Sequence, residues 1–486
     1  MYDAEDISDS SFPDRIRSTM TKPDPKVVQL IEENAQCLRA NEPKDYDSIL
    51  SAIGDGQIVL IGEASHGTHD FYSHRAEITK RLIQEKGFTI IACEADWPPA
   101  YRVNQWIKST STSTIKDAED SLRDFTRFPP WLWRNKVIVD FLTWLRQYNE
   151  NINDRKAKVG FFGLDLYSLQ SSREEVLKYL GNHAPDLLRL ARKNYRCFDR
   201  YTDEHEYGVC ARANITTSCR KEAIKVLTKM LERHAEIVAN EKSTETELEE
   251  SFYAMENAKI VREAEKYYRH MLDGGQIAWN IRDTHMYDCL KDLLEHHGPG
   301  TKAIIWAHNS HIGDARETER SRSGKLNIGQ LVRERFGIEK TYNIAFTTYT
   351  GTVTASDNWD IDPDFKRVRL ALNESFEFLF HQALVKSPSL SQHGQYFLLF
   401  RSNNPSIEIS KELCQELRKQ RLERAIGVIY RPRTERQSHY LDASISAQFD
   451  CVIHIEITRA LRPLEIHPTW AEAEKDHIPD TFPMNV

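Results

Sequence analysis

The sequence predicts an α/β fold with a mostly parallel central sheet, flanked by helices and interrupted by an inserted helical subdomain. Three observations predict it. Short apolar runs of strand character alternate with segments of helical period. Several of those runs are followed at once by acid or imidazole side chains. Residues 172–274, in contrast, contain no strand-like run at all.

Taken in order, residues 1–26 are polar and proline-bearing and read as a loose N-terminal arm. QIVLIG (57–62) is a short buried-strand run. The segment after it places Phe71, Ile78, Leu82 and Ile83 on one helical face, with Thr68 as its N-cap. Gly87 stops that helix and FTIIAC (88–93) is the next strand, which makes a βαβ unit with a right-handed crossover. Pro129 and Pro130 precede a helix through Val137, Phe141, Leu142 and Leu145, and VGFFGL (159–164) follows as a strand. KAIIWA (302–307), YNIAFTT (342–348), YFLLF (396–400), AIGVIY (425–430) and CVIHI (451–455) complete eight strand candidates. Between 172 and 274 lie helices only, the longest at about 218–240 and 247–272. STSTST (109–114) and SPSLSQHG (387–394) are surface loops. The expected organisation is an arm (1–26), a discontinuous α/β domain (27–171 and 275–470), a helical insert (172–274) and a tail (471–486).

The chain has 486 residues, enough for an enzyme-sized core, and its 40% apolar and 28% charged content excludes wholesale disorder. Lys and Arg total 65 against 73 Asp and Glu, a net of −8, which argues against general affinity for nucleic acid. No apolar run approaches the ~20 residues of a membrane helix, and the acidic N-terminus has no leader-like apolar stretch, so a soluble cytoplasmic protein is expected. The cysteines include no CxxC pair. Cys93 and Cys451 sit in strand-like runs as reduced core residues, and only Cys197, Cys210 and Cys219 fall close together, where free thiols rather than a disulfide or zinc cluster are expected.

In an open parallel sheet, ligands bind outside the carboxyl ends of the strands. Glu63 and His66 follow the first run, Glu94, Asp96 and Trp97 the second, Asp165 the third, and His308 and His311 the fourth. Four strands thus deliver acids or imidazoles to one sheet edge. A carboxylate three residues from an imidazole fixes its tautomer and raises its basicity, as a water-activating base requires. A loop salt bridge fits the same Glu63–His66 spacing. Gly62 and Gly67 suit a tight turn that lets backbone N–H groups approach a ligand. Arg75 stands two turns into the helix, free to pair with Glu94 or to hold an anion, although a solvated helix arginine fits equally. Asp96 and Trp97 are placed to line the pocket, although capping and packing serve equally for them. The basic loop RPRTERQSHY (431–440) follows another strand candidate and reads as solvated.

Other chemistries fail on spacing. Ser65 is three residues after Gly62, so GEASHG is not a G-x-S-x-G elbow, and neither a P-loop nor G-x-G-x-x-G occurs. The HxxH pair His308 and His311 admits a metal reading, with Glu63, His66 and Glu94 completing a shell, but there is no HExxH.

IGEASHGTHDFYSHRAEITKRLI followed by IACEADWPPAYRVNQWI resembles the signature of the erythromycin esterase family. FFGLDLYSL, NIRDTHM, IIWAHNSHIGDAR, LNIGQLVRERFG, TTYTGTVTA and IGVIYRPRTERQSHY extend the resemblance in order, over about residues 45–465. It implies hydrolysis of a macrolide lactone by water, without a covalent enzyme intermediate or a cofactor, and a place in antibiotic response. On the matching positions it implies His66 as general base, Glu63 orienting it, and Glu94 and His308 binding water or steadying an oxyanion. Arg75 and His311 occupy motif positions too. His311, Asp165 and Trp97 are the substrate-binding candidates. The expected partner is a small-molecule ester or lactone, not nucleic acid or membrane. Two other readings use the same residues: a binding protein that sequesters a small molecule, and a metal-dependent hydrolase built on His308 and His311.

Overall fold

The computed structural model describes residues 24–39, 42–109, 114–201, 203–213, 215 and 217–477. Most of the expected N-terminal arm, of the STSTST loop and of the C-terminal tail lies outside the described residues. Eleven strands are present among the described residues: β1 (Gln36–Cys37), β2 (Ile58–Ile61), β3 (Ile90–Asp96), β4 (Gly160–Asp165), β5 (Ala303–Trp306), β6 (Thr341–Ala355), β7 (Asp364–Val368), β8 (Gln395–Leu399), β9 (Arg421–Arg424), β10 (Tyr440–Ala443) and β11 (Cys451–Thr458). Nine form one sheet in the order β1-β8-β11-β6-β2-β5-β3-β4, with β7 on β6, and β9 and β10 form a separate ribbon. The pairs from β11 to β4 are parallel, whereas β8, β1 and β7 join antiparallel. The fold is α/β, as the alternation predicts, with antiparallel additions that no local pattern announces.

Alternation along the central strands fills both faces. Val59 and Ile61 of β2 belong to the core formed with helices His69–Lys86 and Lys136–Glu150. Ile58 and Leu60 belong to the opposite core, with Met286, Cys289 and Leu290 of helix Gly275–His297. Such two-sided burial is why these strands read as continuous apolar runs.

One expectation is refined and two change. β2 and β3 lie parallel in one sheet as the βαβ reading requires, but not side by side, because β5, which begins at Ala303, lies between them. AIGVIY is not a strand of the sheet: the strand β9 ends at Arg424, and Ile426 instead pairs its N–H and C=O with the turn after β2, to Ala64 O at 2.8 Å and from His66 N at 3.0 Å. Cys197 and Cys219 are joined in a disulfide, their Cα atoms 5.9 Å apart, whereas Cys210 is free.

The helical stretch contains Leu169–His183, Pro185–Tyr195, Glu204–Arg212, Arg220–Ala239 and Glu245–His270, packed around its own apolar cluster. The last helix starts at a reciprocal cap in which Thr244 and Glu247 satisfy each other's backbone N–H. No described helix is long and apolar enough to cross a membrane.

Candidate active site

The sheet order places the predicted residues side by side. Ile61, Trp306 and Cys93 are matched across β2, β5 and β3, so the residues just beyond them meet at one edge. There they wall a crevice of about 420 Å³ containing His66, Glu94, Asp165, His308 and His311. Of the other sequence candidates, Glu63 and Arg75 lie behind the wall, 3% and 1% exposed, and Trp97 does not line the crevice. Trp97 turns instead into a second cavity, against Phe162, Phe252 and Tyr253.

The turn after β2 is drawn tight by two glycines, and the neighbour in each case is protein rather than ligand. A Cβ on Gly62 would sit 2.1 Å from Asn309 Oδ1. Gly67 has φ +74°, and its Cβ would lie 2.1 Å from the Thr354 carbonyl. Thr68 is the N-cap residue by position, but its hydroxyl bonds Ser65 Oγ at 2.5 Å and caps nothing.

This turn sets His66. Its Nδ1–H donates to Glu63 Oε1 at 2.9 Å, which leaves Nε2 as the lone-pair nitrogen, with no partner among the described residues. Glu63 is held in turn by Arg75, whose Nη1 is 3.5 Å from the same oxygen. Arg75 does not approach Glu94 as an ion-pair partner. Its guanidinium lies over the rings of Tyr72 and Trp306, at 4.4 and 4.8 Å. Burial pushes the His66 imidazole down, but the charge and hydrogen bond of Glu63, helped by Glu94, outweigh it and hold the pKa above its ordinary 6.5.

Glu94 is fixed at both oxygens. Oε1 accepts from Arg282 Nη2 at 2.7 Å and Oε2 from the backbone N–H of His308 at 2.9 Å. Burial opposes its ionisation, yet His311, Arg282, His66 and that N–H together hold the carboxyl well below the usual range. Arg282 also grips Asp165 through two bonds of 3.0 and 2.7 Å. Burial opposes that guanidinium's charge, and Asp165, Tyr167 and Glu94 more than restore it. The Asp165 carboxyl in its turn is lowered, because Arg282 outweighs burial.

The two histidines after β5 are oriented by other groups. His308 Nδ1 accepts from the backbone N–H of Ser310 at 3.2 Å, so the proton is on Nε2, 3.2 Å from the Ala64 carbonyl. Burial, and the neighbouring His66, push this imidazole well below 6.5. His311 Nδ1 donates to Asp283 at 2.9 Å, Arg282 Nη1 lies 3.1 Å from its Nε2, and its ring stacks on Trp279 at 4.5 Å. The nitrogens a metal would need are engaged, and the described residues hold no group of three or more His, Cys, Asp or Glu arranged for a metal ion.

Arg282, Asp283 and Trp279 are the site residues that strand-end reasoning missed. All three come from helix Gly275–His297, which follows the insert. Arg127, which pairs with Asp96 at 2.6 Å, and Arg320, over the Trp279 ring at 4.7 Å, complete the polar wall. Arg320 Nη1 is buried without a hydrogen-bond partner among the described residues. The 431–440 loop also contributes, since Ser438 and His439 reach the crevice beside Ala425 and Val428.

Known proteins share this architecture. The chain is 23% identical over 325 residues to erythromycin esterase type I of Escherichia coli, covering 64% of this chain and 74% of that protein. Against erythromycin esterase type II of the same organism it is 23% identical over 331 residues, covering 64% and 73%. Against the putative hydrolase YbfO of Bacillus subtilis it is 22% identical over 367 residues, covering 68% and 74%. Among solved structures, a Bacillus cereus protein superposes with TM-score 0.71 at 21% identity, covering 90% of this chain and 99% of the other. A mutant of the erythromycin esterase EreC in its open conformation superposes with TM-score 0.60 at 15% identity, covering 89% and 100%. The erythromycin esterase family model matches residues 83–458, most of the sequence, and the chain belongs to the erythromycin esterase family.

Proposed function

We propose that the protein hydrolyses an ester or lactone bond of a macrolide or related small molecule, with water activated by His66. The reading is supported at the coarse level of a hydrolase by the relatives, and in its mechanism by one observation above all. His66 is held at Nδ1 by Glu63 while its unbonded Nε2 belongs to the wall of a crevice that also holds the ionised Glu94.

In this mechanism Nε2 takes a proton from water as the water oxygen bonds to the carbonyl carbon. Glu94 accepts the water's second O–H and so orients it. Negative charge moves to the carbonyl oxygen, where Arg320, a cation of the crevice wall, donates to it. The C–O bond then breaks and the imidazolium returns its proton to the leaving alkoxide. Arg282 is not spared for the oxyanion, because Glu94 and Asp165 occupy it. No cofactor enters. The aromatic wall of Trp133, Tyr167, Trp279 and Trp359 suits a large apolar ligand.

A second reading has its own observation. Ser310 Oγ lies 2.9 Å from His308 Nδ1, the spacing of a serine nucleophile and its base. Two facts weaken it: the Ser310 N–H competes for the same lone pair, and an imidazole pushed well below 6.5 is a poor base.

Incubation with macrolides and a panel of lactones and esters, read by mass spectrometry, tests the function. A ligand that gains one water supports it. Ligands that bind tightly and keep their mass would replace hydrolysis with sequestration.

A further inference from the structure

A larger cavity of about 650 Å³ is bounded by the helical insert on one side and by Trp97, Tyr101 and Lys108 of helix Trp97–Lys108 on the other. Its charges cancel in pairs with one exception. Arg155 pairs with Glu249 at 2.7 Å, Lys156 with Glu245 at 3.4 Å, Lys259 with Asp292 at 2.5 Å, and Glu295 with Lys291 at 3.5 Å. Lys108 makes no ion pair among the described residues, although it is only 8% exposed, and its ammonium stands 5.6 Å from the Phe162 ring centroid. An unpaired buried ammonium is costly, and burial lowers its pKa accordingly. The nearby imidazoles add no positive charge, since burial takes His296 down to about 3 and His297 to about 4. Trp97, in the same wall, has its Nε1–H buried without an acceptor among the described residues.

The walls also have a shape. Trp97 lies at 25° to Phe162 and 16° to Tyr253, whereas Phe252, at 12° to His296, stands at 71° to Trp97, so the rings form two aromatic walls set at a steep angle to each other. We propose that this cavity is a second binding site, for a flat aromatic ligand carrying one negative charge, with Lys108 as its counter-ion. The ligand's anionic group replaces the missing partner of Lys108, and its ring stacks among the aromatic faces. The site is independent of the chemistry in the crevice.

Titration calorimetry of the full chain with naphthoate, and with naphthamide as its neutral analogue, tests this. The wild type binds naphthoate at least about tenfold more tightly than naphthamide, as expected for a desolvated charge pair. Lys108→Met removes that preference while its melting temperature stays at or above the wild-type value, because an unpaired buried cation has gone. Leu248→Trp, which fills the cavity, loses both ligands. Naphthoate that fails to bind, binds no better than naphthamide, or binds equally to Lys108→Met overturns the proposal. If Lys108→Met does not fold, naphthoate bound undiminished by Leu248→Trp overturns it, and lost binding supports it.

Discussion

Glu63 Oε1 lies 2.9 Å from His66 Nδ1, and the two residues are three apart in one buried turn. The carboxylate both selects the imidazole tautomer and stabilises its protonated form. Catalysis by neutral Nε2 therefore requires kcat/KM to fall as pH drops through an inflection above 6.5. In Glu63→Gln the charge is lost and burial acts with less opposition, so the inflection moves down. A pH profile of both proteins checks this, and an unmoved inflection would detach Glu63 from the base.

The same raised pKa has a stability consequence. The imidazolium is favoured in the folded state, so its contribution is fully present below the unfolded value near 6.5 and is lost as pH rises through the folded value. His66→Asn should consequently lose more stability at the acid end of this window than above it. Thermal midpoints of the two proteins across the window measure the difference. A constant gap at all pH values would mean that His66 does not titrate there.

Arg75 acts through Glu63. Replacing it with Met leaves a buried carboxylate without its cation, and breaking such a pair costs about 3–5 kcal/mol. Denaturant unfolding should show that loss, and kcat should fall more than KM rises. Wild-type stability in Arg75→Met would show that the pair contributes nothing.

Arg282 holds Glu94 and Asp165 with a two-pronged guanidinium. Lysine keeps the charge but not the fork. Arg282→Lys should fold and yet lose roughly 10–100-fold in kcat/KM, as Glu94 loses its fixed position. Steady-state kinetics decide it.

Gly67→Ala tests the turn itself. A methyl group there meets the Thr354 carbonyl from a positive φ, so both stability and turnover should drop. A variant as stable and active as wild type would show that the turn relaxes without cost.

The strands were legible because burial on both faces writes them as unbroken apolar runs, and the site was legible where a polar residue follows such a run directly. That rule finds Glu63, His66, Glu94, Asp165, His308 and His311. It fails for Arg282, which lies 117 residues from the Asp165 it holds and reaches it only through the return of a helix after the insert. It misleads for Trp97, where the chain turns into a helix at once and the ring faces the other cavity. Arg75 carried a readable signal: it shares the apolar stripe of Phe71, Ile78 and Leu82, where a solvated arginine does not belong. AIGVIY has strand composition, but Ile426 spends its hydrogen bonds on the Ala64–His66 turn.

The account rests on His66 as the base, and kcat/KM of His66→Asn beside Ser310→Ala on one hydrolysed substrate tests it most directly. The account predicts a loss of roughly 10²–10⁴-fold for His66→Asn, the contribution typical of a general base, with Ser310→Ala near wild type. Near wild-type activity in His66→Asn, with the loss falling on Ser310→Ala instead, would contradict it and make Ser310 the nucleophile.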